Sequence, residues 1–175
     1  MEISQKGIST VVVLEVIGMF LVIFSAVYFG FFKPYSTGMV SPSPSGSETY
    51  QNDQYGFRVA LPQDWHGYSI MNNQWEGRDV TTGKATEHGP EIVLRHPRWT
   101  AVAPYEDMPI MVFTPAQWDL VQKEKLAVGA APIPPSELGH NSSYIFALPA
   151  RYNYAFPTGF EEVESILQTK PLVAF

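Results

Sequence analysis

The segment from Ile8 to Phe32 contains a single charged residue, Glu15, among aliphatic, aromatic and small side chains. About 20 consecutive apolar residues are enough for a helix to cross a hydrocarbon core about 30 Å thick. A tilted helix accommodates a somewhat longer segment. We therefore expect residues 8–32 to form a transmembrane anchor that follows a short polar tail at residues 1–7.

Two interpretations of this segment remain open: an uncleaved anchor, and a signal peptide that is removed after export. A signal peptide has an apolar core of about 7–15 residues and small residues at its cleavage site. Here the apolar run continues into large aromatic residues and a base, which favours the anchor. Aromatic rings and a lysine at the end of a membrane span typically lie at the level of the lipid headgroups. The residues concerned are Tyr28, Phe29, Phe31, Phe32 and Lys33.

Charges at the two ends of the apolar segment bear on its orientation. Lys6 and the amino terminus favour a cytoplasmic N-terminal side, whereas Lys33 on the other flank opposes it. We expect the larger part of the chain to lie outside the cytoplasm. A carboxyl group inside a membrane is costly unless it is protonated or reaches the headgroups. Glu15 fits that description, and the alternative is that it marks a contact with another helix or a proton path.

The composition changes after the apolar segment. Residues 33–47 are rich in Ser, Pro and Gly, a composition that keeps a linker extended. Residues 48–175 are long enough for one domain with its own core. The net charge of −6 and the absence of a Lys/Arg cluster argue against nucleic acid as a partner. The chain has no Cys, which excludes disulfides, thiolate catalysis and Cys-type zinc sites.

Strand patterns dominate the domain from residue 48. Apolar and polar residues alternate over residues 57–61, and this stretch ends at Pro62. Elsewhere, short apolar runs are bounded by Pro, Gly and polar turn residues, as in strands that are buried in a sheet. We expect strands at residues 57–61, 68–75, 91–96, 109–113, 143–148 and 172–175.

Two helices are expected within this domain. Thr114, Pro115 and Gln117 have the spacing of a capping box with Pro at the first helical position, which predicts a helix to about residue 126. Thr158 is the predicted N-cap of the second helix, because two glutamates that favour the positive end of a helix dipole follow it.

Residues 76–90 are predicted as a hairpin loop or an irregular excursion, and residues 129–138 as a Pro-rich loop. The resulting order is a run of strands, a helix, a strand and a helix. That order predicts an α+β fold with a mostly antiparallel sheet.

The motif Tyr55-Gly56-Phe57, a short strand, and then Pro62-x-x-Trp65 resembles the opening of PsbP-like domains. It is similar to the version found in small membrane-anchored, uncharacterised bacterial proteins, and the resemblance spans about residues 48–169. It implies an α/β/α sandwich with a mostly antiparallel central sheet, in which Gly56 permits a turn and three aromatic residues fill the edge of the core. It implies no activity, because the photosynthetic members are extrinsic, non-enzymatic subunits that assist a membrane complex.

Residues that commonly carry catalysis or bind metals are sparse and not arranged in known motifs. No nucleophile elbow, P-loop or dinucleotide motif occurs. The histidines do not lie at metal-ligand spacing on one element, which favours ordinary hydrogen-bonded or surface roles over a metal site. The paired carboxylates at 106–107 and 161–162 are adjacent in sequence, and helix capping explains the second pair. The four histidines are His66, His88, His96 and His140. We therefore predict no catalytic residue, no metal site and no cofactor.

Three functional hypotheses follow from this sequence. The first is a non-catalytic, single-pass membrane protein whose extracytoplasmic domain binds or supports a protein partner at the membrane surface. The second is a small-ligand or lipid-binding module, with a pocket between sheet and helices and Trp75 or Trp99 at its mouth. The third is an unrecognised hydrolase, which requires two or more of a set of acids and imidazoles to converge. That set is His66, His88, His96, Glu91 and Asp107.

Overall fold

The computed structural model describes residues 47–129 and 133–175, so the predicted tail, the predicted anchor and residues 33–46 of the predicted linker lie outside it. None of the helices in the described ranges is long and apolar enough to span a membrane. The described part is a sheet-rich fold with two helices, in agreement with the predicted α+β class. Its strands are β1 (Glu48–Asn52), β2 (Phe57–Leu61), β3 (Ser69–Asp79), β4 (Ala85–Arg95), β5 (Met108–Phe113), β6 (Leu126–Val128), β7 (Ser136–His140), β8 (Ile145–Leu148) and β9 (Leu172–Ala174), and its helices are α1 (Pro115–Gln122) and α2 (Phe160–Gln168).

The larger of two sheets has six strands in the order β6-β3-β4-β5-β8-β7, and its strand pairs are antiparallel. Strands β3 and β4 form its long central hairpin; only residues 80–84 of the hairpin loop predicted at residues 76–90 form the turn, and the other residues of that range belong to the two strands. Gly89 of β4 has a packing role, because a Cβ at this position would lie 2.6 Å from the indole of Trp75, the residue opposite it on β3. Glycine in this strand therefore marks a close cross-strand contact rather than a turn.

The smaller sheet has the order β1-β2-β9 and is also antiparallel. Strand β2 has the predicted alternation: Phe57, Val59 and Leu61 are buried, and the two residues between them are exposed. The predicted C-terminal strand is confirmed as β9. Strands β1, β6 and β7 were not among the predicted strands. Part of the loop predicted at residues 129–138 is wrong, because Ser136 begins β7 and pairs with Leu148.

The core lies on both faces of the larger sheet because successive side chains of a strand point to opposite sides. Strand β5 shows this directly: Ile110 and Val112 belong to one cluster of buried residues, and Met111 and Phe113 to the other. The first cluster also includes residues of β2, β9 and α2, while the second includes Val121 of α1. The small sheet and α2 therefore pack against one face, and α1 packs against the other.

The two helices begin in different ways. The capping box of α1 is confirmed, since the Thr114 side chain accepts the Gln117 N–H and the Gln117 side chain accepts the Thr114 N–H. This helix ends at Gln122, earlier than predicted, because Glu124 has a φ of 54° and the chain then enters β6. The predicted cap at Thr158 is wrong: Gly159, with a φ of 89°, precedes α2 and no side chain caps it.

Thr158 is unable to cap α2 because its backbone is already held outside the helix. Its carbonyl accepts the Glu106 N–H at 2.8 Å, and the residue forms a parallel bridge with Tyr105. The ring of Tyr105 also fills the space beside Gly159, where a Cβ would lie 2.0 Å from a ring carbon. This contact fixes the start of α2 against the loop between β4 and β5.

Candidate functional site

An open cleft of about 500 Å³ lies where β7 and β9 approach each other, beside the C-terminal end of α2. We call it the β7–β9 cleft. Five elements contribute to its wall: β2, β5, β7, β9 and α2. The residues at its base, Val59, Met108 and Ile110, are buried in the core, and the half-buried Leu138 and Leu167 present apolar surface to the cleft. The apolar residues that line it are Val59, Met108, Ile110, Leu138, Leu167 and Leu172.

The rim of the β7–β9 cleft carries polar groups of both signs. Lys170 follows α2 and forms no ion pair with the residues the structure describes. On the opposite side, the His140 imidazole Nδ1 lies 2.6 Å from a carboxylate oxygen of Glu137. The cleft thus combines an apolar floor with a lysine ammonium group that is available to an anion or a carboxylate.

A second depression, on the face of the larger sheet that carries α1, has Trp75 and Glu91 in its wall. The indole N–H of Trp75 donates to the Val112 carbonyl at 2.9 Å, and its ring stacks on Phe113. Burial raises the pKa of Glu91 above its ordinary value. Trp75 is therefore committed to the core rather than presented as a ligand platform. Trp99 is not part of the described cleft wall, and its ring lies under the Arg95 guanidinium at 3.7 Å.

The carboxylate of Glu162, in the first turn of α2, receives hydrogen bonds from two distant parts of the domain. One oxygen accepts the indole N–H of Trp65 at 2.9 Å, and the other accepts the hydroxyl of Tyr105 at 2.7 Å. The hydrogen bond to this carboxylate raises the pKa of Tyr105. A negative charge in the first turn also interacts favourably with the helix dipole. Glu162 therefore joins α2 to both the residues after β2 and the loop before β5.

His96 lies next to this carboxylate but is a neutral packing residue. Its Nδ1 accepts the backbone N–H of Arg98 at 3.0 Å, and since a backbone N–H only donates, the ring proton resides on Nε2. Nε2 is 3.8 Å from the Glu162 carboxylate, which is beyond hydrogen-bonding distance. Burial lowers the pKa of His96, with Glu162 opposing that effect. Its ring stacks on Tyr105 at 4.2 Å, so its contribution is mainly contact area.

Glu106 is the most unusual titratable group of the described domain. It is 4% exposed, and its Oε2 has no hydrogen-bond partner among the described residues. Burial, together with the nearby carboxylates of Asp107 and Glu164, raises the pKa of Glu106 to about 7. Burial also raises the pKa of Tyr152 to about 12, with Glu164 and Glu106 contributing. A carboxyl group that is largely protonated below neutral pH thus lies inside this end of the domain.

The residues of the motif Tyr55-Gly56-Phe57 and Pro62-x-x-Trp65 lie at the two ends of β2. Gly56 has a φ of 74°, and a Cβ there would lie 2.6 Å from the Phe175 carbonyl oxygen. Tyr55 is half-buried and meets Tyr144 edge to face at 5.3 Å. Phe57 and Trp65 are fully buried, and the carbonyl of Pro62 accepts the Trp65 N–H. These residues close the small sheet against the core at its two ends.

The remaining candidate residues are dispersed over the domain. His66 pairs with Glu48, His88 is exposed on β4, and Asp107 forms a two-pronged ion pair with Arg95. Among the described residues, none of the five groups proposed for a hydrolase is hydrogen-bonded to another, and no cluster of three or more His, Cys, Asp or Glu side chains is suited to hold a metal ion. The predicted membrane residues lie outside the described ranges; they are Glu15, Tyr28, Phe29, Phe31, Phe32 and Lys33.

No sequence pattern indicates the residues that form the β7–β9 cleft and the Glu162 contact. Leu138 is an apolar residue in a Pro-rich stretch, and Lys170 is a lysine that follows a helix. Neither belongs to a local sequence pattern that indicates ligand binding. The partners of Glu162 are 97 and 57 residues away from it in the chain. No protein-family model, no curated protein and no solved structure matches this chain.

We expect the substitution Glu162→Ala to lower the free energy of unfolding by about 2–3 kcal/mol, because the Trp65 N–H and the Tyr105 hydroxyl lose a charged acceptor. Glu162→Gln retains one acceptor oxygen, so we expect a smaller decrease in the free energy of unfolding. Equilibrium urea unfolding measures both. The matched control is Glu161→Ala, an exposed acid in the same helical turn, with an expected change within about 0.5 kcal/mol. Equal losses at positions 161 and 162 would contradict the assigned contact.

We expect Glu106→Gln to flatten the pH dependence of stability between pH 5 and pH 8. The folded-state pKa of Glu106, about 7, is above its ordinary value of 4.5, so its stabilising protonation is complete below pH 4.5 and is lost as the pH rises through 7. That loss amounts to at most about 3 kcal/mol, at 1.36 kcal/mol per pKa unit. His96, whose pKa is lowered, acts with the opposite sign, so the comparison is between variant and parent at each pH.

Urea unfolding at a series of pH values tests this expectation. The control is Asp53→Asn, which neutralises an exposed carboxylate. We expect the free energy of unfolding of the parent protein to fall relative to that of Glu106→Gln between pH 5 and pH 8. If it does not fall, Glu106 is not a buried carboxyl group with this pKa.

Proposed function

We propose that this protein is a non-catalytic, single-pass membrane protein whose domain from residue 48 binds a protein partner at the extracytoplasmic membrane surface. The observation that carries the proposal is the β7–β9 cleft, an open cleft of about 500 Å³ with an apolar lining in which Leu138 and Leu167 are half-buried. Residues 8–32 supply the attachment to the membrane, and residues 33–47 supply the linker.

The chemistry of the cleft suits an apolar side chain of a protein partner. An aliphatic floor inside a polar rim is the arrangement found at the centre of protein–protein interfaces, where one inserted side chain contributes much of the affinity. Lys170 on one side and the Glu137–His140 pair on the other offer charged groups to the polar residues that flank such a side chain. The partner we propose therefore presents an apolar residue next to an acidic one.

The proposed non-catalytic role is supported by how the acids and imidazoles of the described domain are used. The Glu162 carboxylate is occupied by Trp65 and Tyr105, Asp107 by Arg95, and His140 by Glu137. A general base has to reach a substrate proton within about 3 Å, and each of these groups is held by a neighbour that has a structural role in the domain. Each of them contributes to the shape of the domain.

The resemblance to PsbP-like domains is part of this proposal. The proposed architecture is an α/β/α sandwich, with α1 and α2 on opposite sides of the larger sheet. Gly56, Phe57 and Trp65 have positions consistent with the turn and core roles that the resemblance implies. An extrinsic, non-enzymatic subunit that assists a membrane complex is then the kind of partner-binding role we propose for this chain.

A small ligand or a single lipid is the second candidate for the β7–β9 cleft. Its volume of about 500 Å³ lies within the range of about 300–1,000 Å³ that is typical of small-molecule sites. Lys170 would then face the anionic group of the ligand, and the aliphatic floor would receive its apolar part. The two alternatives differ in the mass of the bound molecule, which is a protein in the first and a small ligand or lipid in the second.

Photo-crosslinking from the rim of the cleft separates these alternatives. A benzophenone amino acid is placed at Lys170 in the full chain, and membranes of the native host are irradiated. We expect a discrete adduct whose added mass is that of a protein, because position 170 borders the cleft. The control is the same amino acid at Lys84, an exposed lysine in the turn between β3 and β4.

An adduct at position 170 with the added mass of a lipid or a metabolite would contradict the protein partner and support the second candidate, a small ligand or lipid. Equal adducts from positions 170 and 84, or no adduct from position 170, would contradict binding at the cleft.

A further inference from the structure

The linker joins the domain at a defined end of the fold. Glu48, the first residue of β1, pairs with Leu61, the last residue of β2, and its carboxylate contacts the imidazole of His66. The short turn at Gln63–Trp65 follows directly, and Trp65 contacts His96 and Glu162. The chain therefore enters the domain next to the residues that follow β4 and precede α2.

Two longer loops leave the larger sheet at this same end. The register places Ser69 opposite Arg95 and Leu94 opposite Met108, so the loop of residues 96–107 starts and finishes here. Strand β8 runs antiparallel to β5 and also finishes here, which puts residues 149–159 beside that loop. The Tyr105–Thr158 bridge joins the two loops directly. We call the two loops together the loop end.

The loop end carries the most exposed large apolar side chains among the described residues. Val102 is 94% exposed, Tyr154 is 74% exposed and Phe156 is 66% exposed. The loops that hold them are fixed by partly buried contacts, including the Glu162–Tyr105 hydrogen bond and the Arg95–Asp107 ion pair. Exposed apolar groups on a well-fixed support typically mark an interaction surface.

We propose that the loop end rests on the lipid bilayer, with Val102, Tyr154 and Phe156 inserted between the headgroups. The attachment of this end to a bilayer rests on the proposed function, because it needs the anchor at residues 8–32. The predicted linker at residues 33–47 leads directly into the loop end and reaches at most about 45 Å at about 3.1 Å per residue, so this end is the part of the domain nearest to the predicted anchor along the chain. The opposite end of β3, at Asp79, lies roughly 35 Å further away at about 3.3 Å per residue.

The side-chain chemistry fits the interfacial region of a bilayer. Aromatic and aliphatic side chains are favoured at headgroup depth, and arginines beside them pair with phosphates. Arg98 and Arg151 belong to the two loops, and the acids Asp64 and Glu161 at the same end offset their charge. Insertion is therefore driven by apolar contact rather than by net charge, and a zwitterionic phosphatidylcholine bilayer is sufficient for it.

Spin labels measure this directly, because the chain contains no Cys and single cysteines are unambiguous. Val102→Cys and Phe156→Cys are labelled in the full chain, which is reconstituted in phosphatidylcholine nanodiscs. The control is Val80→Cys, a 57% exposed valine in the β3–β4 turn. We expect the ratio of oxygen to nickel-chelate accessibility to be roughly threefold or more higher at 102 and 156 than at 80, because oxygen concentrates in the apolar phase.

Each other outcome has a defined meaning. Equal ratios at the three positions, in chains that remain with the nanodiscs, would overturn the lipid contact and leave the proposed function intact. Loss of accessibility to both reagents at 102 and 156 would also overturn it, since protein rather than lipid would then cover the loops. A chain that does not remain with the nanodiscs would overturn the anchor itself and, with it, both proposals.

Discussion

The described domain depends on one carboxylate, that of Glu162, which holds together three parts that are distant in sequence. Its two oxygens accept the Trp65 indole N–H and the Tyr105 hydroxyl, so α2, the turn after β2 and the loop before β5 are fixed to one another. Both sites discussed above depend on this contact. The position of α2 sets one wall of the β7–β9 cleft, and the position of Tyr105 aligns the two loops of the loop end. A charged acceptor suits this role because hydrogen bonds to ionised groups are stronger than those between neutral groups.

Sequence patterns were sufficient where the structure is decided by neighbouring residues. The alternation at residues 57–61 and the Thr114–Gln117 capping box both rest on contacts within a few positions, and both are confirmed. Predictions from local sequence patterns were wrong where a residue distant in sequence determines the local backbone geometry. Gly89 has the signature of a turn but lies in β4, because the indole of Trp75 occupies its side-chain space. Thr158 has the spacing of an N-cap, but its backbone is bonded to the loop before β5.

The candidate sites were harder to predict than the fold, for the same reason. The apolar residues of the β7–β9 cleft come from five elements, and only their arrangement in space leaves an open surface. Glu106 was considered only as one of two adjacent acids, whereas its shifted pKa arises mainly from burial, with Asp107 and Glu164 of α2 contributing. Exposed apolar tips such as Val102 are indistinguishable in sequence from core residues, since exposure is a property of the folded chain.

The central claim is that the segment at residues 8–32 holds an otherwise separate domain at the membrane. It is tested most directly by alkaline carbonate extraction of membranes that contain the full chain, with a protease site introduced into the linker at residues 36–47. The account predicts that the intact chain stays with the membrane pellet and that cleavage of the linker releases the part from residue 48 into the supernatant. An intact chain that is itself extracted by carbonate, or a cleaved domain that stays in the pellet, would contradict it.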